Sequence, residues 1–387
     1  MRLIALLLAT ATSFSIAAAQ QPADPHTNPD RTVTFHYLDP AASSVTAEID
    51  LPAKVVLTKD KNGEWSGTSA ALAPEWYSYH FNVDGRTVLD PENTVIKSSY
   101  TGVSNGFLIP GKHARPWEAA AVPHGTLHHH FYTSHVVEGL SRNQSNYFVY
   151  TPPGYDPHAA TKYPVLYLLH GWSDTAAAWT EVGQANQILD NLLAAGKIQP
   201  MIVVMPLGYG AMSFVRSGGD VWHNAKAVTQ NTTLFKQALL TEVLPAVEQQ
   251  YNVIADRDHR AIAGLSMGGL ESLTVGLTDT KQFSWIGGFS SAVHLVQPTD
   301  FAAPDPHNSL NLLWIACGTA DSLYQPNQKL IATLKSQGYP VTAISTPGAH
   351  TWLVWRDNLV HFLPLLFSQK VDLGVRQAEP VTSSAPQ

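Results

Sequence analysis

Gly264-Leu265-Ser266-Met267-Gly268 is the most informative segment of this chain. It follows the apolar run Ala261 to Ala263 and precedes the apolar-rich stretch 270–277. A G-x-S-x-G sequence in that context is typical of a nucleophile elbow, the sharp turn that leads from a strand into a helix. Glycine on both sides of the serine lets the two backbones pass close to each other. The pattern therefore predicts that the Ser266 hydroxyl stands above a sheet, at the positive end of the following helix.

Strand-like and helix-like patterns alternate around this segment, over residues 127–370. Helical periodicity occurs at 233–251 and 327–337, and Gly338 stands where a helix is expected to end. Short apolar runs typical of strands buried on both faces occur at 147–150, 165–169, 201–205, 261–263 and 312–316. The alternation predicts an α/β-hydrolase with a mostly parallel, doubly wound sheet. The polar residues 371–387 are predicted to form a disordered tail.

Residues 28–112 have a different pattern, which predicts a small all-β unit. Short β-type runs recur at 32–37, 44–49, 54–58, 77–83 and 86–89. Asp84-Gly85, between two alternating runs, is a strong signal for a β-hairpin. Repeated short strands at this spacing are typical of an immunoglobulin-like sandwich. Residues 113–126 are rich in proline, alanine and histidine, and we expect them to link the two units.

The N-terminus has the features of a signal peptide over residues 1–19. Arg2 supplies a positive charge, an apolar stretch follows, and Ala17-Ala18-Ala19 is a small-residue cleavage site before Gln20. We therefore expect the mature protein to be secreted or periplasmic. No later apolar run approaches the about 18 residues that a membrane span requires, so none is expected.

Composition bears on two questions: whether the protein binds nucleic acid and whether it contains a disulfide bond. The 387 residues fit about two domains, with 44% hydrophobic and only 14% charged residues. The net charge is −7 and the sequence contains no basic cluster, so a nucleic-acid partner is not expected. Cys317 is the only cysteine, which excludes an intrachain disulfide. We expect it to be buried within its apolar run.

A serine nucleophile needs a base within hydrogen-bond reach, and the base needs a partner that orients it. In α/β-hydrolases the chain order is serine, then acid, then histidine. Asp321 is the best acid, because it follows the run 312–316 in a loop expected at the carboxyl end of a strand. The alternative acids lie in turn-like or proline-rich segments: Asp279, Asp300 and Asp305.

His350 is the best candidate for the base. It follows a short strand-like run, 341–345, and precedes a helical pattern, so it is expected on the loop after the last strand. His361 falls within that helical pattern, and His294 and His307 both precede Asp321.

The tetrahedral intermediate of acyl transfer needs hydrogen-bond donors for its oxyanion. The backbone N–H of Met267 is one candidate, at the start of the helix. The backbone N–H of Trp172 is the other, in the loop after the run 165–169, and His170 is expected to support that loop. The glycine-rich segment 208–224 is long enough to cover a cleft, so its Trp222 and His223 are candidate substrate-binding residues.

Five segments together resemble carbohydrate esterase family one, the esterase D-like group of feruloyl and acetyl xylan esterases. They are 149–155, 167–171, 262–269, 317–323 and 348–355, and their order and spacing match over about residues 127 to 370. The resemblance implies Ser266 as nucleophile, His350 as base and Asp321 as the residue that orients it. It also implies hydrolysis of ferulate or related esters on acylated plant polysaccharide of the arabinoxylan type, without a metal or other cofactor. The feruloyl esterase branch is the most similar.

Residues 63–85 resemble a glycogen-binding-type early-set module, a sandwich that precedes some of these esterases. In that family the module binds glycan or helps to shape the cleft. Its aromatic residues could form a platform for sugars, but we expect Trp65 and the tyrosines to fill the sandwich core: Trp65, Trp76, Tyr77 and Tyr79.

A cluster of histidines follows the expected linker: His124, His128, His129, His130 and His135. Adjacent residues on a strand point to opposite faces, so a surface strand is a better interpretation than a metal site.

The alternatives to a feruloyl esterase are an acetyl xylan esterase or another exported esterase, such as one for siderophore esters. A non-catalytic carbohydrate-binding protein is a further alternative, against which the intact serine, aspartate and histidine count.

Overall fold

The computed structural model describes residues 25–50, 54–293 and 309–368, together with residues 301, 304 and 307. The predicted signal peptide and the predicted tail, 371–387, lie outside these residues. Within the described part of the chain, no helix combines the length and apolarity needed to cross a membrane.

The N-terminal unit consists of antiparallel strands in two facing sheets. In the described residues these strands are β1 (His26–Thr27), β2 (Val33–Leu38), β3 (Val45–Ile49), β4 (Lys54–Val56), β5 (Thr58–Lys59), β6 (Glu64–Thr68), β7 (Glu75–Val83), β8 (Arg86–Val88), β9 (Ile96–Lys97) and β10 (Ser104–Ile109). One sheet has the order β1-β2-β6-β5, and the other has the order β4-β3-β7-β10-β9, with β8 paired to β7. Side chains from both sheets form one buried apolar core. This arrangement confirms the predicted all-β sandwich.

The hairpin predicted at Asp84-Gly85 is present between β7 and β8. Val83 pairs with Arg86, which leaves a two-residue loop. Both loop residues have positive φ, 50° at Asp84 and 82° at Gly85, as a type I′ turn requires.

The four aromatic residues considered as a sugar platform are all buried. Trp65, Tyr77 and Tyr79 belong to the sandwich core, as expected. Trp76 belongs instead to a core formed by the second unit, so its ring lies between the two units. None of the four rings is an exposed stacking surface.

The second unit is built on one large sheet. Its strands in the described residues are β11 (Thr126–Thr133), β12 (Gln144–Thr151), β13 (Val165–Leu169), β14 (Ile202–Pro206), β15 (Arg260–Leu265), β16 (Trp285–Phe289), β17 (Leu312–Gly318) and β18 (Val341–Thr346). The order is β11-β12-β14-β13-β15-β16-β17-β18. The pairs from β14 to β18 are parallel, and β11 and β12 are antiparallel at one edge.

Helices cover both faces of this sheet. The α-helices of the described residues are α1 (Ala178–Glu181), α2 (Ala185–Ala194), α3 (Ser213–Arg216), α4 (Ala225–Ala238), α5 (Leu244–Gln250), α6 (Met267–Thr278), α7 (Tyr324–Ser336) and α8 (Trp352–Phe362). On β13, Leu166 and Leu168 pack in a core with α2 and α8, whereas Tyr167 and Leu169 pack in a second core with α4 to α7. Because successive residues of a strand face opposite sides, both faces are buried and the predicted doubly wound α/β fold is confirmed.

The helix predicted at 233–251 differs from the observed one in two respects. It begins earlier, at Ala225, and the π-helical turn Leu239–Val243 separates α4 from α5. Pro245 lies in the first turn of α5 and has no N–H to donate, which favours an irregular turn at this point. By contrast, α7 ends as predicted, with Gly338 at a φ of 92°.

The segment 113–126, predicted to be a linker, packs against the second unit. Trp117 is buried, and the Asn191 side chain donates hydrogen bonds to the carbonyls of Pro116 and Glu118. Direct contacts also join the two units. Buried Arg356 of α8 donates to Glu75 Oε1 at 2.9 Å and to the Trp76 carbonyl at 2.7 Å. The sandwich is therefore fixed against the edge of the cleft described next.

Candidate active site

Ser266 occupies the sharp turn between β15 and α6. Its backbone has φ 51° and ψ −111°, a strained conformation for a residue other than glycine. The neighbouring glycines are required by close backbone approach. A Cβ on Gly264 would lie 2.6 Å from the Gly268 carbonyl, and a Cβ on Gly268 would lie 2.5 Å from the His170 carbonyl oxygen. The structure thus has the geometry of a nucleophile elbow.

The structure brings Ser266, His350 and Asp321 together. His350 Nε2 lies 3.0 Å from Ser266 Oγ, and His350 Nδ1 lies 2.8 Å from Asp321 Oδ2. His350 follows β18 and Asp321 follows β17, so both occupy loops at the carboxyl edge of the sheet. The arrangement is that of a serine, its base and the residue that orients the base.

The charge on Asp321 determines which nitrogen of His350 carries the proton. Burial by itself raises the pKa of Asp321, but the hydrogen bond from His350, supported by the Leu323 N–H, holds the pKa below its ordinary value. An ionised carboxylate can only accept a hydrogen bond, so Nδ1 carries the proton. The lone pair of Nε2 therefore faces the Ser266 hydroxyl and can accept its proton.

Ser290 is a supporting residue that sequence analysis missed. It hydrogen-bonds the Asp321 side chain, and it has a positive φ of 47° at the end of β16. Cys317 is fully buried, as expected, with its Sγ 3.8 Å from Ser290 Oγ. No motif marks Ser290, because its position follows from the order of β16 and β17 in the sheet.

The alternative acids and bases either lie away from Ser266 or fall outside the described residues. Asp279 follows the last residue of α6, about 18 Å along the helix from Ser266. His361 is exposed on α8, where it contacts the Asp357 carbonyl, and His307 is also exposed. Three alternatives lie outside the described residues: Asp300, Asp305 and His294.

Two backbone N–H groups near Ser266 are the candidate donors to an oxyanion. Met267 is the first residue of α6, where a helix leaves its N–H groups without intrahelical partners. Trp172 lies in the loop after β13 and lines the same cleft as Ser266. In the described part of the chain, neither N–H donates to a backbone carbonyl. Both therefore remain candidate donors to a substrate oxygen.

His170 supports this loop from below, as expected. Its Nδ1 lies 2.8 Å from the Gly171 carbonyl oxygen, and its Nε2 accepts a hydrogen bond from the Gly208 N–H at 2.9 Å. Burial lowers the pKa of His170 to about 4, so the ring is neutral at pH 7. Both ring nitrogens are engaged, which indicates a structural role.

A cleft of about 380 Å³ opens above Ser266. Four tryptophans line it, together with the backbone around Gly171: Trp172, Trp222, Trp352 and Trp355. Trp222 thus lines the cleft, as predicted, and its ring packs against Phe214. His223, the other predicted substrate-binding residue, is exposed and is not part of this lining.

The cleft also contains charged residues that sequence analysis missed. Asp50 and Lys97 come from the sandwich, and Asp174 comes from the loop after β13. Burial raises the pKa of Asp174 to about 6, although the Lys97 ammonium opposes this shift. Lys97 and Asp174 meet only in the folded chain, so no local motif could have indicated them.

Three of the five clustered histidines, His128, His129 and His130, lie on the surface strand β11. His129 stacks on Phe148 with ring centroids 4.0 Å apart, and His130 stacks on Tyr147 at 4.9 Å. Consecutive histidines of β11 thus face opposite sides of the sheet edge. Within residues 25–50, 54–293 and 309–368, no group of three or more histidine, cysteine, aspartate or glutamate side chains is arranged to hold a metal.

Comparison with known proteins adds independent information. The sequence model of a family described as putative esterase matches residues 142–366. An endo-1,4-beta-xylanase/feruloyl esterase of Xylanibacter ruminicola is 31% identical over 354 residues, which are 89% of this chain and 46% of that protein. An acetyl esterase of Caldicellulosiruptor saccharolyticus is 24% identical over 51% of this chain and 80% of its own length. The chain thus spans less than half of the xylanase/feruloyl esterase.

Two solved structures share the fold. A ferulic acid esterase of carbohydrate esterase family one from Anaeromyces mucronatus has a TM-score of 0.57 and 24% identity, over 65% of this chain and 93% of its own. The enterobactin esterase of Shigella flexneri has a TM-score of 0.63 and 17% identity, over 87% of this chain and 93% of its own. The family match, which covers more than half of the sequence, leads to one conclusion: the chain belongs to the family described as putative esterase.

Proposed function

We propose that the protein is a serine esterase that releases ferulate or a related hydroxycinnamate from plant cell-wall polysaccharide. One observation carries the catalytic part: His350 lies within hydrogen-bond distance of both Ser266 Oγ and Asp321 Oδ2. Ser266 lines an open cleft, so a substrate ester can reach its hydroxyl.

The first half of the reaction forms an acyl-enzyme. Ser266 Oγ attacks the ester carbonyl carbon while His350 Nε2 takes its proton. Asp321 stabilises the resulting imidazolium, and the N–H groups of Met267 and Trp172 donate to the carbonyl oxygen as it becomes an oxyanion. Collapse of the intermediate breaks the bond to the alcohol oxygen. His350 returns the proton to that oxygen, and the sugar hydroxyl leaves.

The second half frees the acid. A water molecule gives a proton to His350 Nε2 as its oxygen attacks the acyl carbon bound to Ser266. The second tetrahedral intermediate uses the same two N–H donors. When it collapses, the bond to Ser266 Oγ breaks and His350 protonates that oxygen. The carboxylic acid is released and the serine hydroxyl is restored.

The choice of acyl group rests on the shape and lining of the cleft. Its volume of about 380 Å³ exceeds what an acetyl group needs, and two of its tryptophans, Trp172 and Trp222, are partly exposed and can contact an aromatic ring. The Xylanibacter ruminicola protein, whose name includes both xylanase and feruloyl esterase, supports a plant polysaccharide as the source of the ester. Similarity to an acetyl esterase makes an acetylated xylan the second candidate substrate.

The substrate test compares two esters in one assay. The mature protein is incubated with feruloylated arabinoxylan and with acetylated xylan, and released ferulate and acetate are quantified by chromatography. Ser266→Ala provides the blank for each substrate. We expect ferulate release that depends on Ser266. Acetate release alone would assign the protein to the acetyl xylan branch. No Ser266-dependent release from either substrate would contradict the proposed substrate class.

We also propose that the protein is exported, on the basis of Arg2, the apolar stretch after it and the small-residue site before Gln20. Expression of the full chain in a bacterial host followed by N-terminal sequencing tests this proposal. We expect a mature protein that begins at Gln20. An unprocessed chain confined to the cytosol would contradict it.

A further inference from the structure

A short segment of the sandwich, residues 96–100, lies directly against the catalytic unit. The Ser98 N–H and hydroxyl both donate to the Glu181 carboxylate, at 2.6 and 3.0 Å. The Tyr100 N–H and the Ser99 hydroxyl donate to the Ser173 carbonyl, at 2.7 and 2.9 Å. These bonds fix the segment on α1 and on the loop that follows β13, beside the candidate oxyanion donor Trp172.

This attachment directs the Lys97 side chain into the cleft. Lys97 Nζ lies 3.7 Å from Asp174 Oδ1, and both residues line the same cleft as Ser266. Asp174 is a close neighbour of the nucleophile. The point where a Cβ on Gly171 would lie is 3.5 Å from Ser266 Cβ and 3.6 Å from Asp174 Oδ2. The sandwich thus contributes a positive charge to the cleft that contains Ser266.

Lys97 and Asp174 form a long ion pair. A separation of 3.7 Å exceeds the length of a charge-assisted hydrogen bond, which is about 2.7–2.9 Å. The segment is already held by its four bonds to Glu181 and Ser173, so the pair is not needed to attach it. Asp50, the other acidic residue of the cleft, is engaged by the N–H and hydroxyl of Ser78.

A hydroxyl group is the ligand that suits both partners at once. It can accept a hydrogen bond from the Lys97 ammonium and donate one to the Asp174 carboxylate. An anionic group would be repelled by Asp174, and a cationic group would be repelled by Lys97. Asp174 is buried, with 5% exposed, and the Lys97 side chain is only partly exposed, so bonds to them contribute to selectivity.

We propose that Lys97 and Asp174 form a subsite that binds a hydroxyl group of the substrate, so that the sandwich supplies a specificity-determining residue of the esterase. The inference rests on the proposed ester hydrolysis at Ser266. Two sources carry the required chemistry: a sugar hydroxyl on the alcohol side of the ester, or the phenolic hydroxyl of the acyl group.

The test compares three substrates in the full-length protein. Feruloyl arabinose has both kinds of hydroxyl, methyl ferulate has only the phenolic one, and methyl 3-methoxycinnamate has neither. The variants are Lys97→Met and Asp174→Asn. Lys54→Met is the matched control, because Lys54 lies on the same sandwich but pairs with Glu48 at the surface. Circular dichroism establishes that each variant is folded.

We expect Lys97→Met to lower kcat/KM about 10- to 100-fold more for a substrate that bears the bound hydroxyl than for methyl 3-methoxycinnamate. Asp174→Asn should show the same selectivity, and Lys54→Met should match the wild type. A selective loss with both feruloyl esters identifies the phenolic hydroxyl. A loss with feruloyl arabinose alone identifies a sugar hydroxyl. An equal loss on all three substrates, or no loss on any, overturns the subsite.

The proposed function and the subsite can fail separately. If the wild-type protein releases no ferulate, that result contradicts the proposed acyl group but does not test the subsite. The same variants are therefore also compared on acetylated xylobiose and 4-nitrophenyl acetate, of which only the first carries sugar hydroxyls. A selective loss with acetylated xylobiose supports the subsite in that case, and equal kcat/KM ratios for the two acetates overturn it.

Discussion

The proton on His350 is placed by Asp321. Because the carboxylate is ionised and accepts from Nδ1, the opposite nitrogen is left to receive the Ser266 proton. We expect Asp321→Asn to lower kcat for methyl ferulate about 10³- to 10⁴-fold at pH 7, because an amide can donate to Nδ1 and stabilise the wrong tautomer. KM should change little, because the side chain does not line the cleft.

Asp279→Asn is the matched control for this prediction. Asp279 was an alternative acid in the sequence analysis. It lies at the end of α6 far from Ser266, where its Oδ2 is 3.8 Å from Lys236 Nζ. We expect this variant to keep wild-type kcat. A kcat for Asp321→Asn within tenfold of the wild type, or an equal loss in Asp279→Asn, would contradict the orienting role of Asp321.

Individual catalytic positions were predictable where local pattern and chain order agree. Ser266 lies in a glycine motif, and Asp321 and His350 each follow an apolar run in the required order. Lys97 and Asp174 were not predictable, because the contact between them joins residues of two units. Trp222 and His223 are adjacent in a short 3-10 turn, where neighbouring side chains point in different directions, so only one of them reaches the cleft.

At the scale of elements, the loop after β13 depends on a neutral histidine. The folded pKa of His170 is about 4, below its ordinary value of 6.5, so the unfolded chain binds this proton more readily between these two pH values. The contribution of neutral His170 to the free energy of unfolding is therefore fully present above pH 6.5, and it is lost as the pH falls towards 4. We expect the loss to reach about 3 kcal/mol.

Urea unfolding at several pH values measures this effect. The difference in the free energy of unfolding between the wild type and His170→Asn should shrink as the pH falls from 7 to 4. His361→Asn, which removes an exposed histidine of α8, should follow the wild type at each pH. A difference between wild type and His170→Asn that stays constant with pH would show that His170 titrates normally in the folded protein.

Elements whose sequence has strong periodicity were predicted. Elements in which packing or a proline interrupts the regular pattern were missed. Strand β10 contains Gly106, which weakens its β-type pattern. A Cβ at this position would lie 2.0 Å from the Trp76 ring, so the glycine is needed for the ring to pack on the strand. The π-helical turn before Pro245 was missed as well, because the apolar stripe continues across it.

At the scale of the whole molecule, Arg356 joins the sandwich to the esterase unit. It is fully buried, and it contacts Glu75 and Trp76 of β7 and the Val182 carbonyl. We expect Arg356→Met to lower the free energy of unfolding by about 3–5 kcal/mol, because Glu75 would remain buried without its partner. Urea unfolding followed by tryptophan fluorescence measures the loss.

The double variant Glu75→Gln with Arg356→Met separates the charge from the packing. Removal of both charges leaves no uncompensated ion, so the double variant should recover part of the stability lost in Arg356→Met. A double variant that is no more stable than Arg356→Met would indicate that packing, not the buried charge, makes Arg356 necessary.

The central claim is that Ser266 carries the acyl group. The most direct measurement is the rate of ferulate release from methyl ferulate by the wild type and by Ser266→Ala, with circular dichroism to establish that both are folded. We predict a loss of about 10⁴-fold or more in kcat/KM, because no other hydroxyl is paired with His350 in the described residues. A Ser266→Ala protein that keeps more than a tenth of the wild-type rate would contradict the account.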